Sequence, residues 1–383
     1  MRVLQVHTRY RQPGGEDTVV EAEAGVLRAA GHHVVQYQAE NPPKDGAAAT
    51  ALALSAWNPW AARRLQAVAE EAGPDLAHVH NTWYALSASI LRALRRLGIP
   101  VVMTLHNYRL MCSNALLFRD GRPCEDCVGT HPWHGVVHRC YRGSVLASTA
   151  AATAIALHQG LHTWERDVEL FLALTEFARG RFIAGGLSAE RIRVKPNFVP
   201  DPGRRPRPPS ASATLLFVGR LSPEKGIDRL LDIWEGLPHH PFELVVVGDG
   251  PLRPSLEARA VPGVRLLGPL EREEVGRWMR EARALVFPSL WYEAQPLVVL
   301  EALAGGLPVL GSELGAVPEL LEELGPGWTV PPQAGAWAEA LRSLEDDREV
   351  EEASRRARAT YEARFTPQAG LAQLEAAYAS VLG

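Results

Sequence analysis

Short apolar runs alternate with amphipathic segments along the whole chain. Strand-like runs fall at 2–7, 33–38, 76–80, 100–105, 171–175 and 192–195, with helical spacing between them, as at 19–30 and 87–97. The second half repeats the scheme, with runs at 214–218, 243–248, 264–267, 284–288, 308–310 and 328–330. Strands alternating with helices predict parallel, doubly wound sheets, hence the α/β class. Between the halves, VPDPGRRPRPPSASA (199–213) is rich in proline and lacks periodicity, which predicts a linker. The expected domains are therefore 1–198 and 214–366, followed by a helical segment within 367–383.

Composition agrees with two ordinary cores, since 383 residues suffice for two domains and 46% are hydrophobic against 22% charged. The start, MRVLQVH, enters a strand-like run without a basic leader. The nearest approach to a membrane span is VLASTAAATAIAL at 145–157, which stops at His158 and Gln159, short of the roughly 20 residues a span needs. A cytoplasmic location is expected. The net charge of −4 hides an asymmetry: 1–198 carries +4 and 199–383 carries −8. A mildly basic first half either is ordinary charge scatter or suits an anionic acceptor or the inner face of an anionic membrane, with peripheral contact. It lacks the clustered stripe of a nucleic-acid binder.

Candidate chemistry begins with FPSLWYEAQPLVVLEALAGGLPVLGSELGAVPE (287–319), where Glu293 and Glu301 are separated by seven residues. If Pro296 takes the first position of a helix, Glu293 sits in the loop before it and Glu301 lies over one turn in. Free N–H groups at such a helix start, those of Gln295 and Leu297 on either side of Pro296, attract phosphate, while carboxylates accept hydrogen bonds from sugar hydroxyls. Upstream, FVGRLSPEKGID (217–228) ends an apolar run in Arg220, with Lys225 five residues on. Two cations in a loop after a strand can clamp a diphosphate. Lys225 stands out because the chain has three lysines, Lys44, Lys195 and Lys225, against 37 arginines.

Together with RQPGGEDTVVEAEAGVLRAAGHHV, DLAHVHN, PVVMTLHNYRLMC, LTEFARGRF, VKPNFVP and VVGDGP, these stretches resemble retaining glycosyltransferases of family 4 over nearly the whole chain. The resemblance implies a GT-B fold, two Rossmann-like domains facing across a cleft, with the last helix crossing back to the first domain. It implies transfer of a sugar from a nucleoside-diphosphate sugar to a saccharide or lipid-linked acceptor, with retention, in cell-surface polysaccharide or glycoconjugate synthesis. By the same resemblance Gly14 and Gly15 approach the donor diphosphate, and His106, at the end of VVMTLH, lies beside the transferred sugar. Arg220 and Lys225 stabilise the leaving diphosphate, Glu293 holds the sugar and Glu301 the ribose. The chain shows no DxD-type motif near the donor loop, so catalysis is expected to need no metal. Ala294-Gln295-Pro296 departs from the phenylalanine-glycine pair of many members, which puts sugar specificity in doubt.

Cys112, Cys124, Cys127 and Cys140 are all the cysteines of the chain, spaced C-x11-C-x2-C-x12-C within an insert at about 107–142. The ligand count fits a structural tetrahedral zinc site, with His131, His134 and His138 as substitute ligands. Separate buried thiols, a redox pair and disulfides are the alternatives. Three rival functions remain: a hydrolysing sugar-nucleotide epimerase of the same fold, a non-catalytic nucleotide-sugar binder, and an NAD-dependent oxidoreductase, whose GxGxxG neither PGGED nor GDGPLRP supplies.

Overall fold

The computed structural model describes residues 1–9, 14–42, 46–237 and 241–383. Residues 11–13, which open the glycine loop, and Lys44 lie outside the described residues. The chain forms two compact units, one of residues 1–119, 124–197 and 370–383, the other of 120–123 and 198–369.

The first unit is built on β1 (Arg2–Arg9), β2 (His33–Glu40), β3 (Leu76–Asn81), β4 (Val101–Leu105), β5 (Leu170–Ala173) and β6 (Ile192–Val194). They form one parallel sheet in the order β2-β1-β3-β4-β5-β6. Its central strands are buried along nearly their whole length, as expected where helices cover both faces. The helix after β1, Gly15–Ala29, starts before the apolar spacing does. The Asp17 carboxylate accepts the Gly14 N–H at 2.8 Å and closes that first turn without apolar help.

The second unit holds β7 (Thr214–Val218), β8 (Glu243–Val247), β9 (Val264–Gly268), β10 (Ala284–Phe287), β11 (Val309–Ser312) and β12 (Thr329–Val330). Again the sheet is parallel, in the order β9-β8-β7-β10-β11-β12. Leu216, Leu244, Leu285, Trp234, Val299 and Tyr361 are buried in its core.

Two sequence expectations change, and the insert packs in a way the sequence left open. Residues 199–213 are not free linker but pack as part of the second unit: Val199 N–H donates to Phe365 O at 3.1 Å, and Arg205 to Ala282 O and Gly306 O at 2.5 and 3.3 Å. The stretch holds only a short 3₁₀ turn at Pro209–Ala211, and Arg205 ties the irregular chain down through carbonyls. The insert has apolar anchors of its own, with Tyr108 stacked on Phe182 at 5.5 Å between ring centroids and Met111 and Leu117 buried. Pro296 is the N-cap of the helix Leu297–Ala304 rather than its first residue, with extended ψ of 118°. The last helix, Pro367–Leu382, brings Gly370–Gly383 into the first unit, where the buried Tyr378 hydroxyl meets His78 Nδ1 at 2.8 Å.

Candidate active site

Beyond β7 the chain turns one way to β8, and it returns to the other side of β7 as β10. The crevice at the carboxyl ends of β7 and β10 is the position where an open α/β sheet binds ligands. Two loops meet there, 219–226 and 288–296. Gly226 has φ of 71°, and a Cβ on it would stand 2.1 Å from the Pro288 carbonyl oxygen. Gly248, with φ of 140°, lets the loop after β8 reach the same place, where a Cβ would stand 1.9 Å from Gly219 O. Backbone meets backbone at both positions, which only glycine permits.

That contact brings Lys225 Nζ to 2.6 Å from Glu293 Oε1. The same oxygen accepts Ser289 Oγ at 3.0 Å and Trp291 Nε1 at 2.8 Å. Glu293 is buried and so held in one place, whereas Arg220 in the adjoining loop is exposed and carries no ion pair among the described residues. Gln295 is buried beside Pro296 and Leu297 at the helix start. Glu301 stands apart from the Lys225–Glu293 pair, 3.0 Å from Arg272 Nη2. It lines a cavity of about 430 Å³ with Arg272, Gly276, Arg280 and Gly305. Burial raises its carboxyl above the usual range, and Arg272 opposes the rise.

The first unit gathers a different set. β3 reads LAHVHN, buried throughout, and its alternation puts His78 and His80 on one face. His78 Nε2 meets Thr104 Oγ1 at 2.7 Å, and His80 Nδ1 meets His106 Nε2 at 3.0 Å across to the end of β4. Glu23, from the first helix, is fully buried and paired with Lys195, which follows β6. Its other oxygen, Oε2, is 3.6 Å from both His78 Nδ1 and His80 Nε2. Glu23, His78 and His80 are, among the described residues, the one trio whose ligand atoms all lie within 4.8 Å. The Lys195 ammonium already neutralises that carboxylate, so a second cation would have to compete with it. His7 Nε2 meets Asp17 at 2.9 Å, the residue that holds the Gly14–Gly15 turn.

Burial is the largest cause that lowers all four of these histidines: His78 to about 4, His80 and His106 well below 6.5, and His7 by less. Mutual repulsion and the Lys195 charge add to it for His80 and His106. The cluster is neutral at pH 7. Among these groups His106 is half-buried rather than sealed.

Sequence comparison matches residues 13–201 to the profile of glycosyltransferase family 4 and residues 212–347 to that of glycosyl transferases group 1. The chain carries, in order, a glycosyltransferase family 4 region and a glycosyl transferases group 1 region. The family-4 region takes in Gly14, Glu23, His78, His80, His106 and Lys195, and the group 1 region takes in Arg220, Lys225, Glu293 and Glu301. Among curated relatives, an exopolysaccharide phosphotransferase of Streptomyces coelicolor is 34% identical over 171 residues, 42% of this chain and 18% of that protein. The amylovoran biosynthesis glycosyltransferase AmsK of Erwinia amylovora is 30% identical over 224 residues, 54% of this chain and 55% of its own. The chain thus spans about a fifth and about half of these relatives' lengths. Among solved structures, Anabaena HepE in complex with UDP superimposes with a TM-score of 0.71 at 19% identity, covering 99% of this chain and 100% of that one. This likeness establishes the GT-B fold for the chain.

All four cysteines are free thiols, and all four line one small cavity of about 20 Å³. His134 lines it with them; His131 stacks on His134 at 4.5 Å between centroids. Burial and the neighbouring Cys112 push the Cys127 thiol up to about 12. Sequence reasoning gave no role to His7, Glu23, His78, His80 or Lys195. The signal was there in DLAHVHN and VKPNFVP, since histidines two apart in an otherwise apolar strand must share a buried face.

No helix among the described residues is long and apolar enough to cross a membrane.

Proposed function

We propose that this protein is a retaining glycosyltransferase that moves a sugar from a nucleoside-diphosphate sugar to a saccharide or lipid-linked acceptor in polysaccharide or glycolipid synthesis. The observation that carries the reading is the meeting of Lys225 and Glu293 at 2.6 Å at the carboxyl ends of β7 and β10. Lys225 and the exposed Arg220 stabilise the negative charge that develops on the departing diphosphate. The helix start at Gln295–Leu297 adds backbone N–H groups to the same task. Glu293 accepts from sugar hydroxyls, and Glu301, beside the larger cavity, accepts from the ribose. In the first unit, Gly14 and Gly15 offer backbone to the donor diphosphate, and His106 donates to an oxygen of the transferred sugar. No step in this scheme calls on a metal. HepE is described bound to UDP-glucose, and AmsK acts in amylovoran biosynthesis, which supports a nucleotide sugar and a polysaccharide setting. A screen of UDP-, GDP- and ADP-sugars by thermal shift tests the donor, since the cognate ligand raises the melting temperature. Product analysis separates transfer from epimerisation: free nucleoside diphosphate with a free epimeric sugar and no acceptor product overturns the reading.

We further propose a structural zinc at Cys112, Cys124, Cys127 and Cys140. The shared small cavity supports it, but no three of these sulfurs lie within 4.8 Å of one another, so metal would have to draw the thiolates inward to bind the insert together. Peripheral contact with an anionic membrane is supported by exposed Trp133, Val137, Val145 and Leu146 beside exposed Arg139 and Arg142. Sedimentation with anionic lipid vesicles tests it, and equal recovery with and without vesicles counts against it.

A further inference from the structure

A neutral imidazole presents a donor at one nitrogen and an acceptor at the other, so the role of His106 depends on where its single proton sits. A line of side chains in the first unit decides this. The Arg28 guanidinium can only donate, and its Nη2 lies 2.9 Å from Gln36 Oε1. The Gln36 amide nitrogen must therefore face the other way, where it donates to Gln5 Oε1 at 3.0 Å. Gln5 Nε2 then donates to the Val20 carbonyl at 3.1 Å, and because a carbonyl can only accept, this contact fixes the same orientation independently. The second hydrogen of that amide faces His80 Nε2 at 3.3 Å. His80 accepts there, so its proton is on Nδ1, which lies 3.0 Å from His106 Nε2. The two rings are 5.3 Å apart at 21°, a nearly coplanar approach that suits a nitrogen-to-nitrogen hydrogen bond. His106 Nε2 is thereby an acceptor. Its Nδ1 carries the proton and has no protein partner among the described residues.

Glu23 is the competitor for His80. Its Oε2 stands 3.6 Å from His80 Nε2, beyond hydrogen-bond reach, and its charge is taken by Lys195. Gln5 and His80 are themselves buried, so water does not scramble the line.

We propose that His80 is a positioning residue that, with Gln5 and Gln36, holds His106 as the Nδ1–H tautomer. His106 then offers substrate one hydrogen-bond donor and no acceptor. It can hold a sugar oxygen but cannot take a proton from an acceptor hydroxyl at that nitrogen. The proposal rests on the reading of His106 as a sugar-facing group, while the tautomer itself can be measured without any substrate.

The experiment is long-range ¹H–¹⁵N correlation of the histidine rings in the full-length protein near pH 7.5, with the His106 signals assigned by their loss in His106→Gln. The expected pattern is a protonated Nδ1 and an unprotonated, hydrogen-bonded Nε2. Gln5→Glu puts a group that can only accept where Gln5 donates, which should invert both rings and move the His106 proton to Nε2. Its kcat should fall about tenfold or more with KM changed far less. Gln36→Leu, which frees Gln5 to rotate, should give a mixture of the two tautomers. A wild-type His106 protonated at Nε2 overturns the proposal without any variant needing to fold. An unchanged tautomer in folded Gln5→Glu removes the side-chain line as its cause, and an inverted ring with unchanged kcat removes the positioning role. If no acceptor is ever glycosylated, the proposed function fails while the ring spectra still decide the tautomer.

Discussion

The carboxyl-end loops of the two sheets solve opposite problems. In the second unit, polar groups are held by backbone: glycines at 226 and 248 press three loops together, and one ion pair sits between them with an exposed arginine alongside. In the first unit, polar groups are held by side chains reaching from β1, β3, β4, the first helix and the residue after β6, all buried except His106. The first arrangement holds Lys225 against Glu293 and leaves Arg220 exposed without an ion pair among the described residues. The second fixes neutral rings in defined tautomers, because in a buried site an unpaired or wrongly protonated group is costly. An exposed cation thus stands in one unit and buried neutral rings in the other.

The largest effect should come from breaking the buried pair of the first unit. Glu23→Gln leaves the Lys195 ammonium buried without its counter-charge, which costs about 3–5 kcal/mol. Denaturant unfolding followed in the first unit should show that loss, and an unchanged midpoint means the pair is not buried as described. Next comes the second unit, where Lys225→Ala and Arg220→Ala should each cost about 2–4 kcal/mol of barrier, roughly 30- to 1000-fold in turnover, with the fold intact. Normal turnover in either variant removes that residue from the leaving-group clamp. Glu301→Gln should weaken free nucleoside diphosphate and donor alike, by about tenfold in Kd for one charge-assisted hydrogen bond. A loss confined to the sugar-bearing ligand assigns Glu301 to the sugar instead of the ribose.

The smallest effect per step is pH dependence, and it should separate the units cleanly. His78, His80 and His106 have folded values below their ordinary 6.5, so the unfolded chain takes up protons first as pH falls. Their contribution is fully present above pH 6.5 and is lost as pH falls toward the folded values, about 4 for His78, at about 1.4 kcal/mol per pH unit for each ring. Stability of the first unit should therefore decline between pH 6.5 and 4. A flat profile there would show that these rings are charged, or exposed, in the folded state. For the insert, elemental analysis of protein prepared in metal-free buffer should find one zinc per chain, and no zinc with four titratable thiols leaves the cysteines as packing residues.

Most strands and the last helix could be read from the chain directly, because buried parallel strands are continuous apolar runs and covering helices repeat at 3.6 residues. The second unit's candidate residues could be picked out for a related reason: Arg220 and Lys225 lie in one loop, and Glu293 and Glu301 in one loop-and-helix, so local spacing suggested the chemistry now proposed for them. Pro296 shows the limit of that approach, since one residue of offset at a helix start depends on which carbonyl closes the first turn, here Pro296 O to Val299 N–H at 3.1 Å. Residues 199–213 show it again, because proline content signals irregular chain but not whether that chain packs.

By itself, then, the sequence determined the two parallel sheets and their order along the chain, which follow from short-range patterns of burial, and it pointed to the cationic loop at 219–226 as a candidate. Only the tertiary structure decided that Glu23 finds Lys195 across 172 positions, that Tyr378 closes on His78 across 300, and that Arg28 orients His106 through three intervening side chains. The physical reason is that a buried polar group is acceptable only with its partner in place, and the sheet order that supplies the partner brings together residues no local pattern connects.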